Sequence, residues 1–280
     1  NEETSISPLF EIDPDLQYYN TVNNNLYNCD YHIEDTFNRK CKSLSITNDC
    51  FSVMHANLRS LPKNMPKLTA YLENLDLKFA VLGLTETWLQ ESNQNIYNID
   101  GYNSVHNIRT SKRGGGVSLL VKDKLNYKVR DDITVSDKHI ESLFIEIDKS
   151  QYASDHNTLV GVVYRPPGQD LNIFNQIMSN LIQKLKHEKK NVYIVGDYNI
   201  NILNHDKHEP TSDFLDNMYS NYFYPTITKP TRIHKQSATL IDNIFCNNVS
   251  NNYSFQGILF TDISDHLPVF YIDYSMKVNQ

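Results

Sequence analysis

Asn191-Val192-Tyr193-Ile194-Val195-Gly196-Asp197-Tyr198-Asn199 joins an apolar run to a glycine, then to a carboxylate and an amide. A short apolar run rich in β-branched and aromatic residues reads as a buried strand. Asp197 falls just past its end, and Asn199, two residues on, falls where alternation returns a side chain to the same side. Strand ends are where a rigid scaffold holds charged groups close together. Taken alone, Asp or Asn after a strand is ordinary turn chemistry. What matters is whether other strand ends carry the same kind of residue.

Working outward, Phe51-Ser52-Val53-Met54 alternates like a strand and runs into His55-Ala56-Asn57-Leu58-Arg59-Ser60. Pro66 suits a first helical turn, with Leu68, Tyr71, Leu72 and Leu75 at helical spacing behind it. Residues 79–84 read as a buried strand that delivers Thr85-Glu86-Thr87-Trp88. Further strands are expected over residues 116–121, 140–147, 158–164, 240–246 and 268–271. The clearest helix follows Asp170, a suitable N-cap, and carries Leu171, Phe174, Ile177, Met178, Leu181, Ile182 and Leu185 on one stripe. Strands dominate, with a few amphipathic helices, which points to two packed sheets with helices outside them. No internal repeat stands out.

Polar residues recur at the ends of these runs: Asn57, Glu86, Asp197 with Asn199, Asp242, and Ser264-Asp265-His266. If Glu86, Asp197, Asp242 and Asp265 converge on one cleft, they repel and raise one another's pKa unless a cation joins them. An oxygen-only set completed by Asn57 suits Mg²⁺, or Mn²⁺, which take few protein ligands plus waters and phosphate. Zinc would draw more His or Cys. A nearby His266, pinned by a carboxylate, can donate to a phosphoryl oxygen whose charge grows in the transition state.

Composition bounds the rest. A chain of 280 residues, 40% hydrophobic, can bury a substantial core in one large domain or in one domain plus an appendage. It contains no apolar run of 18 residues, so a soluble chain with no membrane partner is expected. The net charge of -7 argues against whole-surface adhesion to nucleic acid, although a bound cation changes the sign locally. Cys29, Cys41, Cys50 and Cys246 lack the paired spacing of a zinc site and read as reduced intracellular thiols. Residues 1–49, rich in Asn, Asp and Tyr, are expected to form a flexible or loosely docked leader. The folded domain is expected over 50–275, with a tail at 276–280. The missing start Met suggests a fragment of a longer chain.

Taken in order, the motifs resemble those of the endonuclease/exonuclease/phosphatase superfamily over residues 51–273. They are Asn57 in H-A-N-L-R-S, Glu86 in L-T-E-T-W, Tyr164 in V-V-Y-R-P-P, Asp197 and Asn199 in G-D-Y-N, Asp242 in T-L-I-D-N-I-F, and Ser264-Asp265-His266. N-L-R-S-L, T-E-T-W-L, R-G-G-G-V, K-P-T-R and S-A-T-L-I-D-N-I-F are similar to the apurinic-endonuclease-like domain of non-LTR retrotransposons. The resemblance implies an α/β (α+β) fold, a four-layer sandwich of two mainly antiparallel or mixed sheets flanked by helices. It also implies an Mg-dependent endonuclease that nicks target DNA, so that a reverse transcriptase can prime on the freed 3′-hydroxyl. A reverse transcriptase domain is then expected in the full-length element, and the site of action is nuclear.

By the same resemblance Glu86 is the main metal ligand, helped by Asn57 and Asp265. Asp197 orients or deprotonates the attacking water, and Asn199 positions that water or a phosphoryl oxygen. His266 contacts the phosphate with Asp242 fixing its ring, Tyr164 contacts the phosphate or leaving group, and Thr231 lies near the DNA backbone. Arg59 stands where some relatives place an acidic metal neighbour, which favours a single ion. Arg59, Lys112, Arg113 and Arg232 are the basic candidates for DNA. The glycine-rich stretch 109–116 either lets backbone approach a phosphate or is only a hairpin turn, and 232–238 reads as a hairpin. Lys184, Lys186, Lys189 and Lys190 read as a solvated helix end, His55 as structural or exposed, and Trp88 as core rather than a base-stacking platform. Two other readings stay open: a relative acting on RNA or another phosphate ester, and an inactive nucleic-acid- or protein-binding remnant.

Overall fold

The computed structural model describes residues 29–111, 113–234, 237–248 and 253–278. In chain order its strands are β1 (Asp30–His32), β2 (Cys50–Asn57), β3 (Val81–Thr85), β4 (Tyr102–Asn107), β5 (Val117–Lys122), β6 (Tyr127–Val129), β7 (Glu141–Ile147), β8 (Thr158–Tyr164), β9 (Asn191–Asp197), β10 (Tyr224–Pro225), β11 (Arg232–His234), β12 (Ser237–Thr239), β13 (Asp242–Cys246), β14 (Ser254–Leu259) and β15 (Val269–Lys277). The helices are α1 (Glu34–Ser43), α2 (Leu61–Glu73), α3 (Leu171–His187) and α4 (Glu209–Ser220). One sheet runs β1-β14-β15-β2-β3-β5-β4 and the other β10-β13-β9-β8-β7-β6, each mixing parallel with antiparallel pairs. The expected hairpin over 232–238 is the ribbon β11-β12.

Strand β2 shows why the sheets stack. Its odd positions Phe51 and Val53 join the core between the sheets, while Met54 and Ala56 on its other face pack with Phe37 of α1 and Leu68 of α2. β15 alternates likewise, with Val269 and Tyr271 inward and Phe270 and Ile272 outward. This is the period-2 pattern of a strand buried on both faces. The second sheet is covered by the stripe of α3, with Phe174, Met178, Leu181, Ile182 and Leu185 all buried, and by Phe214 and Met218 of α4. Helices, sheet, sheet, helices is the four-layer sandwich expected. Two glycines allow the close approach: a Cβ on Gly83 would meet Val195 at 2.3 Å, and one on Gly196 would meet the Val163 carbonyl oxygen at 1.9 Å.

Several local expectations shift. Residues 1–28 of the expected leader lie outside the described residues, but Asp30–His32 pairs in parallel with β14, and Phe37 and Cys41 of α1 are buried. The fold thus begins inside the segment read as a leader. At the other end β15 runs to Lys277, past the expected boundary at 275. α2 starts a turn earlier than Pro66 suggested, because the Ser60 hydroxyl accepts from the Lys63 amide and Pro62 fills the first turn. Among the described residues no helix is long and apolar enough to cross a membrane. All four cysteines are buried and unbridged.

Far from G-D-Y-N, a buried charge network ties β6, β7, β9 and the end of α3. Glu146, 3% exposed, accepts from Arg130 at 2.6 Å and Asn157 at 2.6 Å, with Lys190 at 2.9 Å and Lys128 at 3.2 Å. Lys190, expected on a solvated face, is therefore enclosed by Glu146 and Glu188. Burial works against the Glu146 charge, but these donors outweigh it and hold the carboxyl at about 2, below its ordinary 4.5. A depressed folded-state pKa stabilises the fold fully above about 4.5, and that contribution is lost as pH falls toward 2. The urea midpoint is therefore expected to fall between pH 5 and pH 3, by the equivalent of about 2 kcal/mol, and more shallowly in Glu146→Gln. Parallel curves for the two proteins would contradict this.

Candidate active site

The inward stripe of β2 continues past Phe51 and Val53 to His55 and Asn57, and that of β9 continues past Tyr193 and Val195 to Asp197. Asp242, the first residue of β13, is paired directly with Asp197, the last of β9. The two sheets thus bring Asn57, Asp197 and Asp242 to one edge, with 2%, 1% and 1% of each residue exposed. Asn57 Nδ2 donates to Asp197 Oδ2 at 2.7 Å across the sandwich.

Asp197 is supported by amides. The Asn199 backbone N–H donates to Oδ1 at 2.9 Å, and Asn199 Nδ2 lies 3.3 Å from Oδ2 while also donating to the Arg165 carbonyl at 2.8 Å. Asn199 reaches back by a left-handed turn (φ 47°) rather than by strand alternation. Asp242 is supported by stronger donors. Thr231 Oγ1 donates to Oδ2 at 2.7 Å, and His266 Nδ1 lies 2.9 Å from Oδ2 and 3.1 Å from Oδ1. His266 Nδ1 is also 3.9 Å from Asp197 Oδ2. The three groups offer ligand atoms within 4.8 Å of one another.

The charges sort themselves accordingly. Burial and the neighbouring Asp242 charge push the Asp197 carboxyl up to about 7. Asp242 suffers the same burial, yet the His266 charge and hydrogen bonds hold it well below the ordinary carboxylate range. For His266 burial opposes the charged ring, but Asp242 raises the imidazole to about 9.

Glu86 sits beyond the end of β3, in a parallel pair whose hydrogen bonding continues past the strands. Ser60 N donates to the Glu86 carbonyl at 2.8 Å and Leu61 N to that of Thr87 at 2.9 Å, which draws the Asn57 and Glu86 turns together. The Glu86 side chain accepts from the Tyr164 hydroxyl and, at 2.7 Å, from the Trp88 indole N–H. Thr87 N and Trp88 N donate to the carbonyls of Gly116 and Gly115 at 3.2 and 2.9 Å. The Gly116 N–H donates to buried Glu141 at 2.7 Å, and Glu141 also binds Arg109. The glycine-rich stretch connects the antiparallel pair β4 and β5 and is fastened to the Glu86 segment. Arg59, Ser60, Glu86, Trp88 and Asn199 all have positive φ, and such strain gathers where surrounding structure fixes a site.

Asp265 closes the set. Its Oδ2 accepts from Arg59 at 3.0 Å and from Arg232 Nη2 at 2.8 Å, while Oδ1 is buried with no hydrogen-bond partner. Ser264 Oγ donates to the Asn57 carbonyl at 2.6 Å and fastens this turn to β2. A carboxylate oxygen left without a hydrogen-bond partner, in a site rich in carboxylates, fits the donor chemistry of a hard divalent cation.

Three of the basic and polar candidates have partners within the protein. Thr231, expected near the DNA backbone, is 0% exposed, and its hydroxyl is taken by Asp242, so it faces the interior. Arg59 and Arg232 are both paired to Asp265, with side chains 51% and 40% exposed. Arg113 is exposed, its guanidinium 5.5 Å from the Trp88 ring centroid. Lys112 lies outside the described residues. A cleft of about 660 Å³ opens beside Trp88, lined also by Leu89, Ile108, Arg109 and Arg113. Sequence reasoning passed over His55, whose inward position on β2 was its one signal, and Trp88, two residues from Glu86.

Two stacked sheets thus bring several carboxylates and a carboxylate-bound histidine to one edge. The chain belongs to the Endonuclease/Exonuclease/phosphatase family, whose pattern matches residues 54–266. Its fold is similar to the catalytic domain of Xenopus laevis APE2, with 15% identity and a TM-score of 0.60 over 81% of this chain and 93% of that one. It is similar also to the endonuclease domain of TRAS1, a telomere-specific non-LTR retrotransposon, with 12% identity and a TM-score of 0.59 over 82% and 99%. A third is the 3′ phosphatase NExo from Neisseria bound to a product DNA hairpin, with 12% identity and a TM-score of 0.54 over 82% and 100%. At such identities the likeness is one of fold.

In metal-free protein the His266 ring is expected to titrate by NMR near pH 9, and Asp242→Asn should bring it back toward 6.5. Because the folded value is raised, the ion pair stabilises the fold fully below about 6.5, and that contribution is lost as pH rises through 9. A wild-type midpoint at or below 6.5 contradicts the ion pair.

Proposed function

We propose that this chain is a divalent-cation-dependent DNA endonuclease of the kind encoded by non-LTR retrotransposons, which leaves a 3′-hydroxyl for a reverse transcriptase domain of the full-length element. The observation that carries this reading is the split pair: one buried carboxylate, Asp197, free of cationic hydrogen bonds, beside another, Asp242, committed to His266. Two acids with separated protonation suit separate duties in one reaction. The retrotransposon-like motifs and the likeness to the TRAS1 endonuclease domain along 99% of its length support DNA as the substrate.

In the proposed reaction Asp197 receives the proton of the attacking water, and Asn57 and Asn199 hold its carboxylate in place. His266, oriented by Asp242 through Nδ1, donates from its other nitrogen to a phosphoryl oxygen. Glu86, Asn57 and Asp265 would hold one Mg²⁺, or Mn²⁺, which would supply neutralisation of the phosphate and its leaving oxygen. Tyr164 and Trp88 keep the Glu86 carboxylate from rotating. Arg59, Arg113 and Arg232 flank the path of the phosphate backbone, with action in the nucleus.

Supercoiled plasmid with Mg²⁺ is expected to yield nicked circles with 3′-hydroxyl ends, and EDTA to stop the reaction. Asp197→Ala and His266→Ala should each lower the rate by roughly 100-fold or more. Inert plasmid alongside turnover of RNA or a phospholipid would move the substrate to another ester. Activity unchanged in both variants would mean that these residues are not catalytic.

The chain's one tryptophan, Trp88, bonds Glu86 directly, so its emission reports on that carboxylate. Titrating Mg²⁺ into wild-type protein should shift the emission saturably, and Glu86→Gln should flatten the curve. A flat wild-type titration opposes Glu86 as a ligand.

A further inference from the structure

His55 has no role in the reaction above, yet it is wholly enclosed at the site, with 0% exposed. It follows Val53 on the inward stripe of β2 and precedes Asn57. Its Nδ1 lies 3.0 Å from the Gly83 carbonyl oxygen, within its own sheet. Its Nε2 lies 3.2 Å from Asp242 Oδ1, in the opposite sheet. A carbonyl oxygen and a carboxylate oxygen both only accept, so each contact needs a ring N–H, and His55 makes the two together as the doubly protonated ring, Nδ1–H to Gly83 and Nε2–H across the sandwich to Asp242.

The Asp242 carboxylate is thus gripped from three directions: by His55 on Oδ1, by Thr231 on Oδ2, and by His266, which lies within reach of both oxygens. What this grip prevents is specific. His266 Nδ1 has a second carboxylate within 3.9 Å, that of Asp197. If Asp242 were free to rotate about its side-chain bond, the imidazole could turn toward Asp197 and occupy the carboxylate that has to face water. We propose that His55 is a positioning residue for the phosphoester hydrolysis described above: by holding Asp242 Oδ1 it keeps His266 on Asp242 and leaves Asp197 free. The inference rests on that hydrolytic reading for its kinetic consequence and on geometry alone for its structural one.

Apolar packing would account for a leucine at this depth as well as for a histidine, so the test compares the two. His55→Leu removes both hydrogen bonds, and His55→Gln restores an amide donor. With ¹⁵N-histidine labelling of metal-free protein, the His266 Nδ1–H resonance, assigned by its loss in His266→Ala, should sit downfield in the wild type. It should move upfield or broaden in His55→Leu and return toward the wild-type position in His55→Gln. In plasmid nicking, His55→Leu should lower kcat by roughly 10–100-fold with KM for DNA within about twofold, and His55→Gln should recover part of it. In an Asp242→Asn background the same substitution should cost less than about threefold, because its route of action is already cut.

An unmoved His266 resonance with unchanged kcat in His55→Leu overturns the proposal. So does a loss of the same size in the Asp242→Asn background, which would mark a purely structural role. Should His55→Leu not fold, His55→Gln decides by the same resonance, whose displacement to the position expected of an unrestrained ring overturns the proposal. A wild type that nicks no DNA defeats the proposed function, and the resonance then judges the placement of His266 separately.

Discussion

Two carboxylates, each about 1% exposed, face each other on directly paired residues of β9 and β13, and this placement constrains everything around them. Like charges this deep repel strongly, and an unpaired buried charge is costly. The structure resolves the conflict by treating them unequally. Asp242 receives a cationic partner and a hydroxyl, so its charge is stabilised. Asp197 receives amide donors only and is pushed toward neutrality, with its carboxyl at about 7. β2 adds to the asymmetry that His266 sets, offering His55 to Asp242 and Asn57 to Asp197, two residues apart on one face.

That arrangement needs the sheets to be close and their register fixed. Gly83 and Gly196 remove the Cβ atoms that would hold the layers or strands apart at this edge. Beyond the strand ends the chain cannot rely on ladder pairing, and positive-φ residues take over at Arg59, Ser60, Glu86, Trp88 and Asn199. Asn199 takes up this backbone by local preference, whereas the others have none. Left-handed backbone is unfavourable for side chains such as Glu and Trp, so the surrounding contacts must over-determine it. A site built this way begins with its reacting groups already placed, as electrostatic preorganisation requires.

The sandwich and its carboxylates were legible because each depends on short-range pattern. Apolar runs mark β2, β3, β8, β9 and β13, and their polar end residues can be read one strand at a time. β1 and α1 were not legible as part of the fold, since a three-residue polar strand is recognisable only by its pairing with Gly257, Ile258 and Leu259, more than 200 residues away. His55 failed for the same reason: its meaning lies in Asp242, 187 residues distant and in the other sheet. Thr231 could be placed near the site by its motif, but the direction of its side chain depends on how the loop before β11 folds over β13. The pairing of Arg59 and Arg232 was not legible because their common partner, Asp265, is 206 and 33 residues from them.

The same pairs explain why overall charge says so little about this chain. A net charge of -7 describes a surface averaged over every face, whereas affinity for a phosphate depends on local groups. At this edge the cations are arranged against specific carboxylates: Arg59 and Arg232 share Asp265, and Arg109 is held by Glu141. These contacts keep long side chains near the site in defined positions without leaving buried charge uncompensated. They also restrain the carboxylates, so that Asp265 presents one oxygen to its arginines and the other inward, without a hydrogen-bond partner. Reading the site as acidic or basic by counting residues therefore misses its design, in which Asp242, Asp265 and Glu141 are oriented by opposite charges and Asp197 and Glu86 by neutral donors.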